Sequence, residues 1–424
     1  MAVGISATAW LAEVVKADDL DILASRAVEP QFYRAPCPPG VTPRPYQHAG
    51  VEYCINRSHA LLGDAPGVGK TAEAILIGNA IEAKRTLVVC PASLRLNWER
   101  EIWRWSTIPN VSTYPVLKSS DGIADDAHYV IISYALLTNP ALLMALMDLR
   151  WDHLILDEAH ALKDPKGNKR TQILTAPNLL LSVVGRITMA SGTILPNQPI
   201  ECYNAVRMMN WSAINNASLE DFRKYYYEMG AGFVTKPVVR DGVRRHEAVW
   251  SNSVRNVPRN LDDLQFRLRK HVMVRRLKEQ VLPQLPKKQW HLFPLETTAA
   301  IKSAIKHPGW KKAEQLFHLN PAAFNAGVPI DGSIAEARRL MGEAKAPEVA
   351  KYIDQLLEEG VGKLVVSAWH LSVLRVLRLH LTKYGIVYID GATPPAKRQA
   401  LVDQFQADPN VKIILGQMIP LGEG

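Results

Sequence analysis

No stretch of about 18 apolar residues occurs in the 424-residue sequence, which excludes an ordinary membrane-spanning helix. Cysteine is scarce. Cys37, Cys54, Cys90 and Cys202 are far apart and lack metal-ligand spacing, as suits a reducing compartment. The opening residues, MAVGISATAWLAEVVKADD, carry no basic segment ahead of their apolar stretch, so a secretory signal is not expected. There is no internal repeat and no low-complexity tract. What is present, 47% hydrophobic and 21% charged residues, fits a soluble globular protein. The length exceeds one ordinary core and predicts two or three domains.

The net charge of +9 is uneven. Residues 221–290 hold 16 Lys/Arg against 7 Asp/Glu, and the remainder holds 34 of each. A basic excess confined to one segment points to a polyanion footprint; the competing reading is a solvated basic face.

Along the chain, residues 1–35 form an N-terminal extension with a weak amphipathic helix. From about 50 to 205, apolar β-rich runs alternate with helical patterns. TLVVCP (86–91), YVIISY (129–134), HLILDEAH (153–160) and RITMASGT (186–193) read as strands buried on both faces. Such alternation predicts a parallel, doubly wound α/β sheet. Residues 206–290 are aromatic and basic with a mostly helical period. From 291 a second strand–helix alternation begins, with strands expected at 363–369, 386–391 and 411–416.

Two local patterns carry chemistry. In LLGDAPGVGKT (61–71) an apolar strand runs into glycines and then Lys70 and Thr71. The glycines let successive N–H groups curl into an anion nest, and a helix N-terminus adds partial positive charge. Lys70 can reach the β- and γ-phosphates and the Thr71 hydroxyl can hold Mg²⁺. In LILDEAH (154–160) an apolar strand delivers two carboxylates at its C-terminal end, where ligands bind in open α/β sheets. Asp157 is suited to Mg²⁺ and Glu158 to orienting or deprotonating a water.

From about residue 41 onward the chain resembles the Swi/Snf family of superfamily II helicase-type ATPases. RPYQHAGVEYCI (44–55) is similar to the family's adenine-recognising motif. GDAPGVGKT resembles motif I, LVVCPASLRLNWEREIWRW (87–105) motif Ia, and DEAHALKDPKGNKRT (157–171) motif II. ITMASGTILPNQPIECYNAV (187–206) resembles motif III, with Ile194 where the family has proline. VMVRRLKEQVLPQLPKKQW (272–290) is the most family-specific piece, expected at a hinge or brace between lobes. KLVVSAWH resembles motif IV, IDGATPPAKRQALVDQFQADPNVKIIL (389–415) the block that follows it, and IPLGEG (419–424) the start of motif V. GATPPAKR and the compact layout resemble the HepA-related annealing-helicase branch.

The resemblance implies two RecA-like lobes with a helical, basic insertion between them, the second lobe incomplete. The expected divisions are 36–205 for lobe one, 206–290 for the insertion and 291–424 for lobe two. It implies catalytic roles for Lys70, Asp157 and Glu158, and nucleotide contacts from Arg44, Gln47, Asp64, Gly67, Val68, Gly69, Lys70 and Thr71, with Gln47 reading the base. Mg²⁺ falls to Thr71 and Asp157. Coupling between ATP and DNA falls to His160, Ser191, Thr193, Arg398, Gly422 and Gly424. Nucleic-acid contacts are expected from Arg244, Arg245, Lys287 and Lys288. Arg275 and Arg276 either contact phosphates or brace the hinge through carboxylates. Trp98, Trp103 and Trp105, at helical spacing, read as core in preference to base-stacking residues.

The implied activity is ATP-driven translocation on duplex or forked DNA, largely independent of sequence, by a monomer in the cytoplasm or a nucleus. The alternatives are an RNA or single-strand helicase, and a non-hydrolysing binding module. The sequence ends within motif V, ahead of the arginines of motif VI, so slow ATP hydrolysis is expected of this chain.

Overall fold

Runs of β-branched and aliphatic residues too short for helices become strands, and their burial on both faces dictates a parallel sheet covered by helices. The computed structural model describes residues 20–164, 168–192, 198–240, 243–286, 288–319, 332–418 and 421. The chain divides into two compact units, residues 1–287 and 288–424.

The first unit is built on β1 (His59–Leu62), β2 (Thr86–Cys90), β3 (Thr113–Pro115), β4 (Tyr129–Ser133), β5 (Trp151–Asp157) and β6 (Val184–Ala190). A hairpin follows, β7 (Tyr227–Arg240) and β8 (Val243–Pro258), and then β9 (Met273–Val274). The sheet order is β3-β4-β2-β5-β6-β1-β9, and every pairing is parallel. Side chains alternate between its faces. Leu87 and Val89 enter one apolar cluster and Val88 and Cys90 the other, so both faces are core. The neighbours β5, β6 and β1 end side by side, and their C-terminal ends carry the three motifs at Asp157, Ser191 and Gly63.

Two findings correct the reading of residues 206–290. Helices do occur at Leu219–Tyr226 and Leu261–His271, but the middle is an antiparallel hairpin, registered from Tyr227↔Pro258 to Arg240↔Val243. Its sequence signal is the Asp-Gly dipeptide at 241–242 flanked by valine-rich runs. Secondly, β9 is an edge strand of the first unit's sheet, paired with β1. That unit therefore continues past residue 205. Its other end begins early, because the helix Leu20–Arg26 packs against β9: Ser25 Oγ donates to Met273 O at 2.7 Å.

The second unit holds β10 (Leu364–Ala368), β11 (Gly385–Ile389) and β12 (Val411–Gln417), parallel in the order β10-β12-β11. The long helix Gly332–Glu358 buries Ala346, Ala350 and Ile353 with Leu374 and Leu377 of the helix Leu371–His380.

Candidate active site

The loop after β1 turns into the helix Lys70–Ala80 through two left-handed glycines, Gly67 (φ +78°) and Gly69 (φ +91°). A side chain at Gly69 would also require Gln47 to move. Its Cβ would lie 2.8 Å from Gln47 Nε2. Lys70 Nζ donates back to Asp64 O (3.0 Å) and Ala65 O (3.3 Å). Burial lowers its pKa, opposed by the carboxylates of Glu158, Asp64, Asp157 and Glu73. The two acidic motif residues and the loop lysine thus converge.

An open cleft of about 630 Å³ lies against this loop, lined by Arg44, Tyr46, Gln47, Gly67, Val68, Gly69, Thr71 and Leu282 among others. Gln47 is engaged at both ends of its amide. Its Oε1 accepts from Arg44 N (2.9 Å), and its Nε2 donates to Gly69 O (3.3 Å). Tyr46 Oη donates to Val68 O at 2.7 Å. The wall and the loop are therefore one hydrogen-bonded piece.

At the end of β5, Asp157 is 9% exposed. Its Oδ2 accepts from Trp98 Nε1 (2.8 Å), and its Oδ1 from Glu158 N (2.9 Å). Burial raises its pKa to about 6; the Trp98 bond opposes the rise and the Glu158 charge adds to it. A desolvated carboxylate of this kind is suited to a cation. Glu158 adopts a left-handed backbone (φ +48°). His160 Nδ1 lies 3.1 Å from Glu158 Oε2, and the hydrogen bond from His160 is the main cause of a lowered Glu158 pKa. The same Nδ1 lies 3.5 Å from Ser191 Oγ. Glu158, His160 and Ser191 thus form a line from the end of β5 to the end of β6.

The structure corrects one expectation and decides two that the sequence left open. The Asp64 side chain is fully buried and serves the protein, not a nucleotide. Arg276 Nε donates to both Asp64 oxygens (3.1 and 3.0 Å) and its Nη2 to Asp64 Oδ2 (2.5 Å). Arg276, also 0% exposed, reaches Glu73 Oε1 (2.7 Å) and the Tyr46 carbonyl as well. It cannot touch DNA; it is the carboxylate brace. Burial alone would lower its pKa, but Glu73 and Asp64 override this and hold it above the usual arginine value. Arg275 is the third case. Its Nη1 donates to Gly63 O (2.5 Å) and Gly192 O (3.3 Å), a brace made through backbone carbonyls.

Arg244 and Arg245 sit near the hairpin's turn, opposite Val239 and Val238. Lys288, in the second unit, places Nζ 4.0 Å from the Trp290 ring centroid. Arg398 lies on the helix Pro395–Ala407, with Nε donating to Thr393 O at 2.9 Å. Thr193, Ile194, Lys287, Gly422 and Gly424 lie outside the described residues.

Sequence reasoning missed Trp98 as a partner of Asp157, and it missed Glu73. Trp98 sits at core spacing with Ile102 and Trp105, and nothing local marks its indole as a donor. Glu73 reads as an ordinary first-turn acid of a helix.

A phosphate loop closing one strand and paired carboxylates closing another, two strands away in a parallel sheet, define a P-loop nucleotide-binding α/β protein. The sequence matches the SNF2-related domain over residues 46–327, and the chain belongs to that family. The SWI/SNF-related matrix-associated actin-dependent regulator of chromatin subfamily A-like protein 1 of Bos taurus is 30% identical over 371 residues, 85% of this chain and 35% of that protein. The DNA annealing helicase and endonuclease ZRANB3 of Bos taurus is 27% identical over 390 residues, 90% of this chain and 34% of that protein. The chain therefore spans about a third of the length of these relatives. A solved Sulfolobus solfataricus SWI2/SNF2 ATPase core in complex with dsDNA is 17% identical, covers 92% of this chain and 79% of its own, and has a TM-score of 0.45.

Proposed function

We propose that this chain is the ATP-hydrolysing motor of a DNA translocase or annealing helicase, acting as a monomer on duplex or forked DNA with little sequence preference. One observation carries the reading: Lys70, Asp157 and Glu158 converge on a phosphate loop in an SNF2-related domain. The residues present fit Mg²⁺-ATP. Gly67 and Gly69 take the positive φ that lets a loop curl around phosphate, and Asp157 is a buried carboxylate at the end of β5. Thr71 and Asp157 would hold Mg²⁺, which when bound neutralises phosphate charge. Gln47 and the Tyr46 side of the cleft would receive the base. Glu158, oriented by its contact with His160, would orient the attacking water or take its proton. His160 and Ser191 join that carboxylate to the end of β6 and are proposed as the coupling line. Arg244, Arg245 and Lys288 remain the proposed DNA contacts.

The test is ATP turnover measured with duplex, forked and single-stranded DNA and with RNA. Stimulation by duplex or forked DNA above the others is expected. Stimulation confined to single strands or RNA would replace this reading with a helicase of that type, and the absence of turnover with every nucleic acid would leave a binding module.

A further inference from the structure

A second lysine lies against the phosphate loop, and it comes from some 200 residues further along the chain. The segment leading out of β9 runs beside the loop as a ladder. Leu61 N donates to Val272 O (2.7 Å), Gly63 N to Val274 O (2.8 Å) and Ala65 N to Arg276 O (3.0 Å). Strand pairing thus continues into the loop itself. The buried Arg276 then fixes this segment to Asp64 and Glu73. Past it, Leu277 N is capped by Gln280 Oε1 (2.8 Å), and Leu282 packs with Tyr46 and Val68 on the cleft wall.

Lys278 sits between these two anchors. A Cβ added to Gly67 would meet its Nζ at 3.1 Å and its Cε at 3.6 Å. The ammonium therefore rests on the loop at the left-handed glycine. Lys278 is half-buried and forms no ion pair among the described residues. The neighbouring arginines are committed elsewhere: Arg275 to Gly63 and Gly192, and Arg276 to its carboxylates. An ammonium held beside an anion nest without a carboxylate partner is placed for an anionic ligand.

We propose that Lys278 is a second polyphosphate-binding lysine of the nucleotide site, delivered by the segment that follows β9. It would contact the terminal phosphates and not the nucleoside, and so favour ATP and ADP over AMP and adenosine. The proposal rests on the ATP reading above.

Calorimetric affinities of ADP, AMP and adenosine for the parent, Lys278→Gln and Lys278→Arg test it. Lys278→Gln should weaken ADP binding about ten- to a hundredfold, the value of one charge-assisted hydrogen bond, and leave adenosine unchanged. Lys278→Arg should stay within a few-fold of the parent. Because Lys278 is only half-buried, the ligand-free melting temperature of both variants should match the parent's, which keeps a folding defect distinct. Equal ADP affinity in Lys278→Gln and the parent overturns this inference alone. An equal loss for adenosine also overturns it, since the lysine would then only shape the loop. A parent that binds no ADP overturns the nucleotide reading and this inference together.

Discussion

The indole Nε1 of Trp98 donates a 2.8 Å hydrogen bond to Oδ2 of Asp157, across 59 residues of sequence. The helix that follows β2 thereby supports the carboxylate that ends β5. Tyr134 Oη completes the support by donating to Asp157 O at 2.7 Å. Apart from the Glu158 amide, these donors come from distant segments, Trp98 from the helix after β2 and Tyr134 from the turn after β4.

Trp98→Phe keeps most of the apolar volume and removes the donor. A buried oxygen then loses its partner, which should destabilise the first unit by about 1–3 kcal/mol. The sign with pH follows from the carboxyl. Its folded pKa, about 6, is above the usual value, so the folded state holds its proton longer than the unfolded chain does. The charged form thus opposes folding progressively as pH rises to about 6 and fully above it. Trp98 stabilises that charged form, so the substitution should cost more at pH 8 than at pH 5. Urea denaturation of metal-free protein at the two pH values checks this; an equal loss at both would show that the bond does not favour the carboxylate.

Arg276→Met should cost about 3–5 kcal/mol, because Asp64 and Glu73 are left buried without their cation. Adding Asp64→Asn and Glu73→Gln should restore much of the loss, since neutral groups carry a smaller burial penalty. Denaturation midpoints of the single and triple variants decide it. If the triple variant is no more stable than Arg276→Met, the damage lies in poorer packing against Tyr46 and not in uncompensated charge.

Lys70→Ala should lose nucleotide binding, while Glu158→Gln should bind ATP normally and lose turnover, because only the water-directed group is altered. Binding by calorimetry and turnover by phosphate release separate the two. Parent-like hydrolysis by Glu158→Gln would remove Glu158 from its assigned role.

Charge reversal at Arg244 and Arg245 should weaken duplex binding and flatten its salt dependence, by about 0.9 in the log–log slope for each phosphate no longer neutralised. Lys288→Glu is expected to act in the same direction. Affinity measured from low to moderate salt reports the slope, and an unchanged slope in a folded variant would make the hairpin's arginines an ordinary solvated face.

The shape of the phosphate loop was legible in the sequence because it is written within nine residues. Gly67 and Gly69 can take positive φ where other residues cannot without strain, and the apolar run before them can only end in a turn. The same holds for Asp157 and Glu158, which follow an apolar strand directly, and for the strands β2, β4, β5 and β12, whose composition leaves a buried parallel sheet as the natural outcome. The hairpin β7–β8 went unread: the helical period of its flanks set the expectation for the whole segment, and the Asp-Gly pair at 241–242 is the local cue that marks the turn.

What the tertiary structure decided is which distant group meets which. Arg275 and Arg276 are adjacent in a basic segment, and sequence left open whether they face phosphate or carboxylate. Pairing of β9 with β1 turns Arg276 inward onto Asp64 and Glu73 and Arg275 onto two carbonyls. A guanidinium removed from water must find acceptors, and a carboxylate removed from water must find donors. Which ones they find depends on the segments the sheet brings together, and no window of sequence around Arg276, Trp98 or Lys278 contains that information.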